Sequence, residues 1–144
     1  MTDVEYAICN VQGDIFEYVA NHYMYDTFVA FVPAFLHSDF CRRQWDTQYS
    51  RYQMHTPEEN LDFIQPELTG IPWTEAKEND QVFNNAAAHW IGFMYRALYI
   101  QTGVASAILA EKIPLSHMCA AYPGLHTIAE EEAVEELRKK LQSV

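Results

Sequence analysis

Apolar residues recur at helical spacing from the very start of this chain. Thr2 and Glu5 form a capping box, in which each side chain accepts a hydrogen bond from the backbone N–H of the other residue. An apolar stripe then follows at spacings of four and three, formed by Val4, Ile8, Val11, Ile15, Tyr18 and His22. This pattern predicts an amphipathic first helix, which Gly13 weakens slightly.

Three more helix starts follow. One lies near Asp26 or Thr27, with Pro33 either in the first turns of the helix or at a kink. The broad apolar face of this second helix is formed by Phe28, Phe31, Val32, Phe35 and Leu36. After a break at His37-Ser38-Asp39, a third helix is predicted to run through Phe40, Trp45, Tyr49 and Tyr52. The segment Thr56-Pro57-Glu58-Glu59 predicts a fourth start, because Thr caps, Pro suits the first helical position and Glu59 completes the box.

The helical pattern is interrupted over Gln65 to Lys77, where two prolines and a glycine predict a loop with Trp73 as a lid over the core. A central helix is predicted to follow Asn79 or Asp80 and to stop near Gly103. Short helices fit the segments 106–112 and 114–122. A capping box at Thr127 to Glu130 then starts a final helix with acidic residues at its beginning and basic residues at its end.

No strand-like alternation bounded by turn residues occurs anywhere in the chain. We therefore predict an all-α protein: a single compact, bundle-like domain of five to seven helices that spans residues 1–144, with one irregular loop near 65–78. The length of 144 residues is enough for one hydrophobic core without disulfides.

Charge and cysteine content limit the location and the partners. The three widely spaced cysteines and the absence of a signal-peptide pattern predict a cytoplasmic protein, and polar residues interrupt the longest apolar segment before it could span a membrane. The net charge of −11 repels phosphate backbones, so we expect no direct nucleic-acid partner. The segment TGVASAILAEKIPLSHMCAAY imitates a helix-turn-helix unit, but its second helix offers only Ser116 and His117 for contacts to DNA.

The central helix contains the best functional lead. Arg96 is the only ordinary charge between Asp80 and Glu111 and lies among large apolar residues. A buried guanidinium needs acceptors, so Arg96 is either part of an internal ion pair or a site for an anion or a partner. His89 falls on the same stripe two turns earlier. The two side chains either flank one pocket or bond separately to Asp14, Glu17 or Asp39.

Signatures of catalysis are scarce. The six histidines include no pair at metal-ligand spacing, so the sequence predicts neither a metal site nor a cofactor. Cys119 lies seven residues before His126 without a third group that could orient a thiol dyad. The motif AYPGLHT predicts a type II turn at Pro123-Gly124, which places His126 just before a helix start. His126 then either bonds to the backbone as a neutral imidazole or contacts a ligand or partner.

Three stretches of the chain resemble a family. They are similar to a group of small helical proteins of gut-type bacteria. The stretches are HWIGFMYRALYIQTG, AYPGLHT with the acidic helix that follows it, and FVPAFLHSDFCRRQWDTQYSRYQ. The matching positions are Phe16, Tyr49, Tyr52, Gln53, Trp90, Gly92, Tyr95, Arg96, Gly103, Tyr122, His126 and Thr127. That family is often encoded near small helical partner proteins and ADP-ribosyltransferase-like toxins. The resemblance therefore implies a toxin–antitoxin or accessory role and assigns no catalytic residue.

Two hypotheses follow from the sequence. The favoured one is a protein-interaction module, antitoxin-like or accessory, that covers a basic surface on another protein. The alternative is a small-ligand-binding protein or an enzyme with an anion site at Arg96. The residues expected to form the pocket or interaction site are His89, Tyr95, Arg96, Tyr122 and His126.

Overall fold

A computed structural model describes residues 1–142, which form seven α-helices and no β-strand. The helices are α1 (Asp3–His22), α2 (Tyr25–His37), α3 (Pro57–Ile64), α4 (Asn85–Thr102), α5 (Ser106–Lys112), α6 (Leu115–Leu125) and α7 (Glu130–Gln142). An isolated antiparallel bridge joins Tyr23 to Glu75. The all-α prediction is thus confirmed. None of the helices within residues 1–142 combines the length and the apolar character that a membrane span requires.

Helices α1 and α4 form the centre of the fold. They run in opposite directions, since Asn21 bonds to Asn85 whereas Gln12 bonds to Arg96. Glycines let the two backbones approach closely: a Cβ atom added to Gly92 would lie 2.8 Å from the carbonyl oxygen of Gln12. The remaining helices cover this pair, and the buried apolar side chains form one contiguous cluster.

The buried face of α1 is rotated from the predicted stripe. The capping box of Thr2 and Glu5 is present, but Val4 and His22 are exposed. The buried residues of α1 are Ile8, Cys9, Gln12, Gly13, Ile15, Phe16, Val19 and Ala20. The prediction overlooked Gln12 and Gly13 because a buried glutamine and a glycine carry no apolar signal. The predicted apolar face of α2 is confirmed in full, with Pro33 inside the helix.

The predicted third helix through Tyr52 is wrong. A five-residue π-helical turn covers Cys41–Trp45, and a short 3₁₀ helix covers Arg51–Met54. The N–H of Asp46 donates to the carbonyl of Cys41 at 2.8 Å, a bond five residues back that widens the turn and ends the helix. The predicted start of α3 is confirmed, since the Thr56 side chain accepts from the N–H of Glu59.

The C-terminal half follows the prediction except at two turns. Helix α4 begins after its cap Asn84, later than predicted, and ends as predicted at Gly103, whose φ of 73° is left-handed. The type II turn is wrong, because α6 continues through Pro123 and Gly124 to Leu125. Gly124 does not have a positive φ. The Thr127 hydroxyl donates to the carbonyl of Gly124 at 2.8 Å, and α7 begins only at Glu130, so the predicted capping box is also wrong.

Candidate functional site

Arg96 lies at the centre of a buried polar network. Its guanidinium is 1% exposed, and its Nε donates to Oε1 of Gln12 at 2.8 Å. Nη1 donates to Oδ1 of Asp46 at 2.8 Å and to the carbonyl of Trp45 at 3.0 Å. Nη2 donates to the hydroxyl of Ser106 at 3.1 Å and approaches the sulfur of Cys41 at 3.5 Å. All five N–H groups of the guanidinium therefore face acceptors of the chain itself.

Asp46, the residue that ends the π-helical turn, completes the network. Its Oδ1 accepts from the hydroxyl of Ser106 at 2.5 Å, and its Oδ2 accepts from the backbone N–H of the same residue at 2.8 Å. The aromatic rings of Trp45 and Tyr99 lie 5.4 Å and 5.0 Å from the guanidinium carbon of Arg96. The network thus connects α1, the π-helical turn, α4 and α5 around one charge.

This arrangement decides between the internal ion pair and the anion or partner site that the sequence leaves open for Arg96. Arg96 is buried and pairs with a carboxylate of the N-terminal half, as the internal-ion-pair interpretation predicts. The partner is Asp46, whereas Asp39 pairs with Arg42 on the surface and Asp14 lies beside His89. A cavity of about 220 Å³ borders the network, but the acidic residue Glu5 lines it and no N–H of Arg96 remains for an anion.

Tyr95 points to another side of α4. It is buried, and its hydroxyl donates to the carbonyl of Ile113 at 2.5 Å. Burial raises the pKa of this phenol, so the hydroxyl stays protonated. The Tyr95 ring lines a groove of about 610 Å³ that opens between α2, α5 and α6.

The lining of this groove is apolar. Its wall on α2 presents residues at helical spacing, among them the exposed side chains of Tyr25 and Val29. The full lining is Tyr25, Val29, Val32, Pro33, Leu36, Phe83, Tyr95, Ala110, Pro114, Leu115, Ser116 and Cys119. None of these side chains carries a formal charge at neutral pH.

His89, Tyr122 and His126 do come together, around a smaller cavity of about 200 Å³ beside α4. Trp90 and Glu130 also line this cavity, and the rings of Trp90 and Tyr122 meet edge to face at 5.5 Å. The five predicted site residues are therefore divided among three places: the buried network, the apolar groove and this cavity.

His126 bonds to the backbone, which is one of the two roles that the sequence leaves open for it. Its Nδ1 lies 2.5 Å from the carbonyl of Tyr122, and its ring stacks on the Tyr122 ring at 4.2 Å. It lies at the C-terminal end of α6 instead of just before a helix start, because α6 extends through Pro123. Cys119 lines the groove and His126 the smaller cavity, and no contact within residues 1–142 joins them.

The three thiols are free and differ in their exposure. Cys9 and Cys41 are buried, and burial raises the pKa of Cys9 to about 12 and that of Cys41 to about 11. Cys119 is half-buried, and burial raises its pKa too. None of these thiols has the depressed pKa of a reactive nucleophile.

Sequence reasoning missed the groups that complete the network around Arg96. Asp46 follows a helix-like run and looks like an ordinary surface acid, while Gln12 and Ser106 are polar residues in segments predicted as an amphipathic helix and a short helix. The sequence signal that could have found Gln12 is its position four residues after Ile8 and three before Ile15, inside the buried stripe.

Comparisons with known proteins return no relative: no family model, no curated protein and no solved structure matches this chain.

Proposed function

We propose that this protein is a cytoplasmic protein-interaction module, antitoxin-like or accessory in role, that binds an apolar helix of a basic partner protein in the groove between α2, α5 and α6. The observation that carries the proposal is the groove itself, about 610 Å³ in volume and lined without a charged side chain. Apolar concavities of this kind accept amphipathic helices, which insert side chains at positions one turn apart.

The charge of the chain indicates what kind of partner fits. The net charge of −11 opposes a second copy of the same chain and favours a protein with Lys and Arg around its apolar residues. Asp26 follows Tyr25 on α2, Glu111 follows Ala110 on α5, and both acids are exposed beside groove-lining positions. An amphipathic helix with apolar residues on one face and basic residues at its edges complements this surface.

The alternative function, an enzyme or ligand-binding protein with an anion site at Arg96, has less support. An anion at that site would have to replace Asp46, which already neutralises the guanidinium at 2.8 Å. The other acceptors of the network are also in place.

The test compares two valine-to-glutamate variants. Val29 lines the groove and is 39% exposed, whereas Val4 is 47% exposed and lines none of the cavities described above. Proteins that co-purify with the wild type from its native host are identified by mass spectrometry, purified and titrated against all three forms. We expect Val29→Glu to weaken binding at least about tenfold, because it places an unpaired charge in an apolar contact.

Val4→Glu should leave the affinity within about twofold of the wild-type value, since a surface substitution away from the contact has little effect. Binding by all forms should weaken as salt increases, because the partner is basic. Equal affinities for the two variants, or a partner whose binding surface is acidic, would contradict the proposal.

A further inference from the structure

Three metal-binding side chains converge on the outer side of the α1–α4 contact. Asp14, Glu17 and His89 each offer one ligand atom, and these three atoms lie within 4.8 Å of one another. Asp14 and Glu17 are three residues apart on α1 and so share a face, while His89 reaches them from α4. His89 Nε2 lies 3.2 Å from Asp14 Oδ1.

A glycine next to Asp14 makes this placement possible. A Cβ atom added to Gly13 would lie 2.8 Å from Nε2 of His89 and 2.9 Å from Cδ2 of the same ring. Any larger residue at position 13 would therefore push the imidazole away from α1. The close contact between the two helices therefore holds the His89 ring against α1, next to the residues that carry the two carboxylates.

His89 pairs with Asp14, but two nearby side chains have oxygen atoms without a partner in the described part of the chain. Glu17 is half-buried, yet it forms no hydrogen bond or ion pair with any residue of 1–142. One turn before His89 on α4, the side-chain oxygen of Asn85 is buried without a hydrogen-bond partner, although its amide nitrogen donates to Asn21 at 3.1 Å. The Glu17 carboxylate, which has no partner among these residues, is available as a cation ligand next to the imidazole.

The charges of the surrounding helices also favour a cation at this place. Asp14 and Glu17 are two acidic side chains one turn apart on α1. Neither α1 nor α3 contains Lys or Arg, and Arg96, the one such residue of α4, is paired with Asp46. No basic side chain of these helices therefore neutralises Asp14 and Glu17.

The geometry points to Asp14, Glu17 and His89 as a binding site for a divalent first-row transition-metal ion. The imidazole favours such an ion over Mg²⁺ and Ca²⁺, which prefer oxygen ligands alone. A cavity of about 280 Å³, lined in part by Asp14, Glu17 and Asn21, adjoins the site. Three protein ligands and this opening leave coordination positions for water or for an oxygen of a bound molecule.

The test measures Zn²⁺ binding by calorimetry on chelator-treated, full-length protein. Asp14→Asn, Glu17→Gln and His89→Gln should each weaken binding at least about tenfold, because each removes one ligand. The matched controls are His37→Gln and Glu132→Gln, which alter exposed residues of α2 and α7 and should change the affinity less than about twofold. Circular dichroism confirms that each variant retains its helices.

A second measurement needs no variant. Titration of the wild type with Co²⁺ should shift and broaden the NMR signals of the His89 ring before those of the other histidines. The proposal is overturned if the wild type does not bind Zn²⁺, if His89→Gln binds as well as the wild type, or if the controls lose as much affinity as the ligand variants. It is also overturned if Co²⁺ affects another histidine first.

Discussion

Arg96 joins several segments of the chain through one buried guanidinium. Its guanidinium is held by a carboxylate, a carbonyl, an amide oxygen, a hydroxyl and a thiol, which come from three other segments of the chain. A fully satisfied buried charge of this kind fixes the relative positions of the groups that surround it. Its removal leaves the carboxylate of Asp46 without its charged partner in a nearly dry site.

We expect Arg96→Ala to lower the free energy of unfolding by about 3 to 5 kcal/mol. The measurement is chemical denaturation followed by circular dichroism. Arg42→Ala is the control: it breaks the exposed pair with Asp39, whose two side chains are 65% and 68% exposed, and should cost less than about 1 kcal/mol. An unchanged denaturation midpoint for Arg96→Ala would show that the network contributes no stability.

The buried thiols make stability depend on pH in the alkaline range. The pKa of Cys9 is raised to about 12 and that of Cys41 to about 11 by burial, so the folded chain keeps both protons at pH values where the unfolded chain loses them. The unfolded state then binds fewer protons, and the free energy of unfolding falls as pH rises. The fall begins near the unfolded thiol pKa of about 8.5 and continues towards the folded values.

We expect the Cys9→Ala/Cys41→Ala double variant to lose stability less steeply than the wild type between pH 8 and about pH 11. Each deprotonating thiol accounts for a slope of about 1.4 kcal/mol per pH unit at most. The comparison uses slopes, so a constant loss of stability from the substitutions does not disturb it. Cys119→Ala, at a half-buried position, should keep a slope closer to that of the wild type, and equal slopes in all three proteins would contradict the assignment.

Among the elements, the α1–α4 pair depends most on residue size. Gly92 is surrounded by the backbone of Gln12 and Gly13 and by the ring of Phe16, with the nearest atoms 2.8 to 3.0 Å from an added Cβ. Gly124 in α6 has nothing within 4 Å of such an atom. Both glycines lie inside helices, so the same substitution tests packing at one position and helix preference at the other.

We expect Gly92→Ala to destabilise the protein by about 1 to 3 kcal/mol, because α1 and α4 must move apart. Gly124→Ala should stabilise it by up to about 1 kcal/mol, because alanine favours the helix that continues through Pro123. Thermal unfolding of the two variants shows whether each substitution raises or lowers the stability of the protein. Destabilisation by Gly124→Ala would instead indicate a positive φ at this residue and restore the type II turn that the Pro-Gly pair predicts from sequence.

At the scale of the whole molecule, charge decides which partners can approach. Twenty acidic residues against nine basic ones leave a net charge of −11. The helix pair α5–α6, which has the cadence of a DNA-binding unit, presents Ser116 and His117 where a recognition helix needs Arg, Lys, Asn or Gln. Counterion release therefore contributes little to any contact with a phosphate backbone.

We expect no binding of duplex DNA at physiological salt. The measurement is a fluorescence anisotropy titration with a labelled random-sequence duplex. A basic DNA-binding domain of similar size serves as the positive control. Sub-micromolar affinity that decreases steeply with salt would show that α5 and α6 do form a DNA-binding unit.

The sequence alone predicted the all-α class and most of the helices, but it predicted the core-facing residues fully only for α2. Helical periodicity, caps and breakers act over one or two turns, so the face of α2, the bounds of α5, the glycine end of α4 and the charges of α7 could be predicted without knowledge of the fold. The isolation of Arg96 among apolar residues likewise predicted its burial.

Only the tertiary structure decided which residues meet. Asp46 reaches Arg96 because a π-helical turn interrupts a run that reads as regular helix, and Glu17 lies near His89 because two glycines bring α1 against α4. The apolar groove likewise combines residues of α2, α5 and α6. Local preferences cannot specify such contacts, because they depend on the packing of whole helices whose residues are far apart along the chain.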